Sequence, residues 1–311
     1  SQRDYQKARK HTFDSLSMLR DLFPVETHPE GHPRIADQLF SVAYLLDELG
    51  DFAVARTYHA ESLEMRKRLF AGFENGHPDI AQSLNSLGVA FRKLGDLQSA
   101  YDYYDQSLEM RQRLYPAAEY PDGHAQIVTC LNNLGFVCSE MSRSDDAMAF
   151  YRQALDMQRT LTETDRSKYA LNSLAASLKH VGYELRLKRR FAEAREHYEE
   201  ALTLYGELYP LAEYPQGHPN LALMMGNLGG LLAQLGDYEA AVDLLEDSLH
   251  MRKALFPPEQ YPQGHPDLAL AHQSLGLLYP TVGKPKEALV NLNDSFKIEQ
   301  SILRNILSRD S

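Results

Sequence analysis

Five glycines, Gly88, Gly135, Gly182, Gly229 and Gly276, stand 47 residues apart. Two further columns keep the same register. One is Ala8, Ala55, Ala100, Ala147, Ala194, Ala241 and Ala288, with a single step of 45 between Ala55 and Ala100. The other, eight residues on, is Leu16, Leu63, Leu108, Leu155, Leu202, Leu249 and Phe296. A fixed period of this size describes units that cannot bury an apolar face alone and must stack on their neighbours. The chain of 311 residues is therefore read as one solenoid domain over 1–311. A half repeat at 1–23, in which Asp4 and Tyr5 align with Asp51 and Phe52, precedes six helix pairs at 32–70, 77–115, 124–161, 165–209, 218–256 and 265–308. Opening in mid-repeat is expected of a piece of a longer protein, because a solenoid end carries a polar cap.

Each first helix, A, is expected to begin at a Gly-His-Pro or Gly-His-Ala tripeptide, at Gly31, Gly76, Gly123, Gly217 and Gly264. Proline at the first turn has no amide hydrogen to leave unsatisfied, and a glycine such as Gly50, Gly95, Gly236 or Gly283 stops the helix in the left-handed conformation. Between them Leu84, Leu87, Phe91 and Leu94 fall at helical spacing and form the expected buried stripe, while Gly88 admits the partner helix. Each second helix, B, is expected to start on an acidic N-cap, Asp51, Asp96, Asp145 or Asp237, and to end before Pro116, Pro210 or Pro257. The fourth unit lacks the tripeptide, so its A helix should start near Asp165 and run towards Arg189, the longest of the series.

The 32 basic and 43 acidic residues give a formal charge of −11, which argues against phosphate-backbone recognition, so no nucleic acid is expected as partner. Cys130 and Cys138 have no disulfide or zinc spacing, which suits a reducing compartment. No run approaches the roughly 18 to 20 apolar residues of a membrane span and no signal peptide precedes the repeats. A cytoplasmic protein without a membrane partner is expected.

The columns Leu84, Leu87, Gly88, Phe91, Ala100, Tyr104 and Ser107 resemble a tetratricopeptide repeat, and the unit length and the Leu131–Gly135 core are similar to the kinesin light chain variety. The YPxGHPxLA linker resembles the repeats that precede caspase-like CHAT protease domains in bacterial proteins. The resemblance implies an all-α, right-handed α-solenoid whose A helices line a concave groove for a peptide or partner domain. By register it implies groove residues Phe40, Tyr44, Asn85, Arg92, Lys93, Asn132, Phe136, Lys179, Tyr183 and Arg186. In the fifth unit the same columns hold Gly226, Gly230 and Ala233, an emptied stretch, and in the sixth they include Pro280. Family members that clamp a C-terminal carboxylate need Lys or Arg with Asn in successive repeats; here the pairs are Phe40/Tyr44 and Asn85/Val89. The function implied is a protein-interaction scaffold, part of a larger protein. The alternative is the regulatory arm of a caspase-like protease whose catalytic domain lies outside this chain.

The histidines His32, His77, His124, His218 and His265 invite a metal reading, which geometry opposes. Helices packed about 8 to 10 Å apart hold equivalent loops too far apart for ligands about 2 Å from one zinc ion, so these histidines are expected to start helices. The acid pairs Asp145/Asp146 and Glu199/Glu200 are expected on solvated faces. Gly229 and Gly230 fit either tight packing or a functional role, as the place where a partner comes close or a flex point in the superhelix. The last helix is expected to expose Ile302 and Ile306, a possible surface for self-association through the solenoid ends. No nucleophile elbow, phosphate loop or metalloprotease motif is present, so no catalytic, cofactor or metal residue is expected and the chain is not read as an enzyme.

Overall fold

The computed structural model describes residues 2–307, except the side chains of residues 2–6 and of Ile306. Asp4, Tyr5 and Ile306 thus lie outside the described side chains. The chain divides into two compact units, Ser1–Leu161 and Thr162–Ser311. The first holds α1 (Gln2–Leu22), α2 (Pro33–Glu48), α3 (Phe52–Leu69), α4 (Pro78–Lys93), α5 (Leu97–Leu114), α6 (Ala125–Glu140) and most of α7 (Ser144–Thr164). The second holds α8 (Lys168–Leu187), α9 (Phe191–Leu208), α10 (Pro219–Leu235), α11 (Tyr238–Leu255), α12 (Pro266–Leu278), a 3-10 turn over Tyr279–Val282 and α13 (Pro285–Leu307). Among the described residues there is no strand, and no helix is long and apolar enough to cross a membrane. In both units A helices pack against the B helix that follows, and α2, α4, α6, α10 and α12 also pack against the one before.

Each A helix except α8 starts on a histidine. The Nδ1 atoms of His32, His77, His124, His218 and His265 accept the amide two residues on, each at 3.2 Å. The rings stack on the aromatic residue that ended the preceding B helix, Phe23, Phe70, Tyr115, Tyr209 and Phe256, with centroids 3.4 to 3.7 Å apart. One residue thus satisfies an orphan helix donor and fixes the angle at which the chain turns from one pair into the next. In α8 Ser167 takes over the cap, accepting from the Ala170 amide at 3.2 Å. At 20 residues α8 is longer than the other A helices, although it starts at Lys168, inside the expected bound.

The A helices α2, α4 and α10 stop at Gly50, Gly95 and Gly236, and the 3-10 turn after α12 stops at Gly283, all with positive φ. In the third and fourth pairs the same backbone turn falls on Ser142 (φ 60°) and Arg189 (φ 58°). The acidic cap expected at Asp145 is not there: the position is held by Arg143, whose Nε donates to Asp146 Oδ2 at 2.8 Å. In the next pair Arg190 holds it and pairs with Glu193. Of the remaining acids only Asp96 accepts an amide, from Ser99, whereas Asp51 and Asp237 make no side-chain cap bond. Pro280 cannot donate an amide hydrogen, and α12 gives way there to the 3-10 turn.

The core stripe of α4 is Ile80, Ala81, Leu84, Leu87 and Ala90; Phe91 is half-buried and Leu94, expected in the stripe, is exposed at the helix end. Ile302, expected to be exposed, is half-buried; the exposed large apolar side chains of α13 among the described residues are instead Leu289, Val290, Leu292, Phe296, Leu303 and Leu307. Both cysteines are buried and free.

Candidate functional site: the A-helix face

The glycine column explains how one face of each A helix becomes committed to packing. A Cβ on Gly88 would lie 2.6 Å from ring carbons of Tyr104, and Gly135 and Gly182 meet Tyr151 and Tyr198 in the same way. Those three rings are almost wholly buried, at 1 %, 1 % and 0 %. One position beyond the glycine the chain turns outward in some A helices, although Val89 of α4 packs against the core. There Phe136 and Tyr183 are 37 % and 40 % exposed, and Tyr44, in the same column, is 60 % exposed.

The other residues assigned to this face are placed as follows. In the first unit Phe40 lies under the Arg66 guanidinium, 4.9 Å from the ring centroid. Arg92 covers Phe136 at 4.6 Å and faces Glu140 at 3.5 Å, linking α4 to α6. Asn85 Oδ1 accepts from Asn133 Nδ2 at 2.8 Å, so the residue beside Asn132 makes that link. Asn132 itself is half-buried, and Lys93 is exposed with its ammonium 5.8 Å from the Phe52 ring. In the second unit Arg186 lies 5.4 Å from the Tyr183 ring centroid. Lys179 is half-buried, and burial lowers its pKa; burial and then the Lys179 charge push His180 down to about 3. Among the described residues no group of three or more metal-ligating side chains converges.

A column that sequence reasoning missed lies beneath this face. Arg66, Arg111 and Arg252, on B helices, are buried at 4 to 5 % exposure. Each sends Nη1 to a backbone carbonyl in the first turn of the next A helix: Arg66 to Asp79 at 3.0 Å, Arg111 to Gln126 at 2.8 Å and Arg252 to Asp267 at 2.7 Å. The serine four residues earlier points the other way. Ser62, Ser107 and Ser248 donate to Ala36, Ala81 and Ala222 carbonyls at 2.7 to 2.8 Å. The signal was the recurring Met-Arg dipeptide at 65–66, 110–111 and 251–252, broken by Gln158 and Tyr205.

The three arginines differ in what else they hold. Arg66 also donates to Ser83 Oγ at 2.8 Å and pairs with Asp37 at 2.8 Å. Arg111 has Cys130 Sγ at 3.1 Å. Arg252 stands where Ala271 replaces Ser83 or Cys130 and Leu223 replaces Asp37, and among the described residues it keeps only the Asp267 carbonyl. Above it, within the second unit, opens a cavity of about 240 Å³ lined also by Arg186, Gly226, Asn227, Gly230 and Ser274.

Comparison with known proteins agrees with this architecture. Tetratricopeptide-repeat family models match residues 42–113 and 173–254, and a second such model matches 127–165. No curated protein sequence matches the chain. Among solved structures, BtubC (BKLC) from P. vanneervenii superposes with a TM-score of 0.63 at 21 % identity, covering 81 % of this chain and 92 % of that one. A putative kinesin light chain with nearly identical TPR-like repeats from Podosopora anserina gives 0.55 at 19 % identity, covering 73 % and 99 %. The apo quorum sensor NprR from B. thuringiensis gives 0.59 at 12 % identity, covering 94 % and 83 %. At these identities the likeness is one of fold. With the family models spread over both units and the helix pairs, glycine contacts and register in place, the chain belongs to the tetratricopeptide-repeat family.

Proposed function

We propose that this chain is a non-catalytic interaction module that holds a peptide, or a segment of a partner domain, along its A helices. One observation carries the reading. At the core register of the B helices Tyr104, Tyr151 and Tyr198 are buried, while at the neighbouring register of the A helices Tyr44, Phe136 and Tyr183 stay in solvent. Exposed rings on rigid helices offer contact area at little entropic cost, and the half-buried Asn132 lies one helical turn before Phe136 on the same helix. The free, buried thiols of Cys130 and Cys138 support an address in the reducing cytoplasm.

The test begins with linear peptides selected from a displayed random library on the parent protein. The double variant Asn132→Ala, Tyr183→Ala should bind them at least about tenfold more weakly, the loss of roughly 1.4 kcal/mol, with unchanged helix content. Equal binding by that variant sinks the groove reading.

A further inference from the structure

The first and fifth pairs treat the same buried arginine in opposite ways. In the first pair the space over Arg66 is filled by the chain itself: the Asp37 carboxylate takes Nη2 at 2.8 Å and the Phe40 ring lies 4.9 Å from the guanidinium carbon. In the fifth pair the equivalent residues are Leu223 and Gly226. A Cβ built on Gly226 would meet Arg252 Nη2 at 3.4 Å, so this nitrogen is aimed at the bare backbone where a side chain would otherwise stand. The Nε atom is buried without a hydrogen-bond partner among the described residues, as it is in Arg66 and Arg111, so the difference lies at Nη2, which Asp37 takes in the first pair and no side chain takes here. No acidic side chain lines the cavity, yet a second guanidinium, that of Arg186, does, and neither arginine has an ion pair among the described residues.

We propose that the cavity over Arg252 is a pocket for the carboxylate of an aspartate or glutamate side chain of a bound peptide, held between Arg252 and Arg186. This rests on the peptide reading above and names the chemistry of one position. The chain's own solution in the first pair, a carboxylate with an aromatic ring beside it, shows what fits over this arginine. Guanidinium and carboxylate pair through charge-assisted, often bidentate hydrogen bonds, and a guanidinium taken out of water without a counter-charge is costly. Burial, the largest influence on Arg252, lowers its pKa against the opposing effect of Asp267, so an incoming carboxylate would relieve a strained charge. The formal charge of −11 opposes an acidic peptide only at long range. Salt screens such repulsion beyond about 8 Å, whereas the two guanidinium groups act at contact.

The experiment uses the full chain and the same displayed random peptides. Leu223→Asp restores in the fifth pair the residue found at Asp37 in the first; Leu223 is 37 % exposed, so the variant should fold with an equal or higher midpoint. The expected result is that selected peptides share an acidic position. Changing it to the matching amide should weaken binding to the parent at least about tenfold. Leu223→Asp should weaken the acidic peptide by a similar factor and make the amide change silent, which a merely structural role for Arg252 would not do. Peptides with no shared acid, or acidic peptides whose affinity Leu223→Asp leaves unchanged, overturn the pocket. If those peptides still depend on Asn132 and Tyr183, the groove stands and the pocket alone has failed. If acidic peptides respond to Leu223→Asp but not to the Asn132 and Tyr183 changes, the pocket stands and the wider groove fails.

Discussion

Gly88 and Gly230 both lie inside A helices, and the same substitution should move stability in opposite directions at the two. A Cβ on Gly88 would meet Tyr104 at Cδ1 and Cε1 (2.6 Å) and at Cγ (3.0 Å), atoms close to the root of a ring that is 1 % exposed and cannot swing away. Gly88→Ala should therefore destabilise by about 1–3 kcal/mol, the range of an overpacked core. At Gly230 nothing lies within 4 Å, so Gly230→Ala should stabilise by about 0.5–1 kcal/mol through backbone entropy. Denaturant midpoints of the two variants decide the matter; two shifts of the same sign would contradict the packing described. The adjacent Gly229 belongs with Gly88, since its Cβ would meet Leu245 Cγ at 2.9 Å. Gly229 thus takes the packing reading, while Gly230 faces open space. The glycine column was legible because only one residue type tolerates that approach and it recurs on a strict period. The buried arginines were not, because arginine ordinarily marks a surface and the column is interrupted by Gln158 and Tyr205. Nothing in a one-dimensional pattern distinguishes a guanidinium that spans two helices from one that lies in water.

At the scale of the helix, the histidine starts carry a pH dependence. Nδ1 must be unprotonated to accept the capping amide, and burial, the largest influence in each case, lowers the pKa of His32, His124, His218 and His265 from the ordinary 6.5. A folded-state pKa below the unfolded one means that the unfolded chain binds protons first. The contribution of these caps is therefore complete above pH 6.5 and is lost as pH falls through the depressed native values. Thermal midpoints should decline between pH 6.5 and about 5, before most carboxylates titrate. Replacing His124, His218 and His265 by Asn keeps a competent cap and should flatten that decline, at some loss of midpoint from the missing ring stack. An unchanged slope in the triple variant would remove the histidines as its cause. The tripeptides that mark these starts were readable from residue type alone. The stops of α6 and α8 were less so, because Ser142 and Arg189 adopt the left-handed turn without the glycine that announces it elsewhere.

Over the whole molecule, a stacked array is stabilised pair by pair, through intrinsic terms and contacts with immediate neighbours. The core around Tyr104 shows how local this is. It packs with Leu108 of its own helix and with Ile127, Val128, Leu131 and Leu134 of α6, all inside the first unit. Tyr104→Ala should cost about 3–5 kcal/mol, as for other large aromatic truncations. If the array behaves as a sum of neighbouring terms, that loss appears as faster amide exchange in α4, α5 and α6. The helices α10 to α13, which belong to the other compact unit, should keep the protection of the parent protein. Hydrogen exchange read by mass spectrometry resolves the two regions directly. A loss of protection spread evenly over all the described helices would mean that the chain unfolds as one cooperative body, and the 47-residue period would then describe how the fold is built without describing how it comes apart.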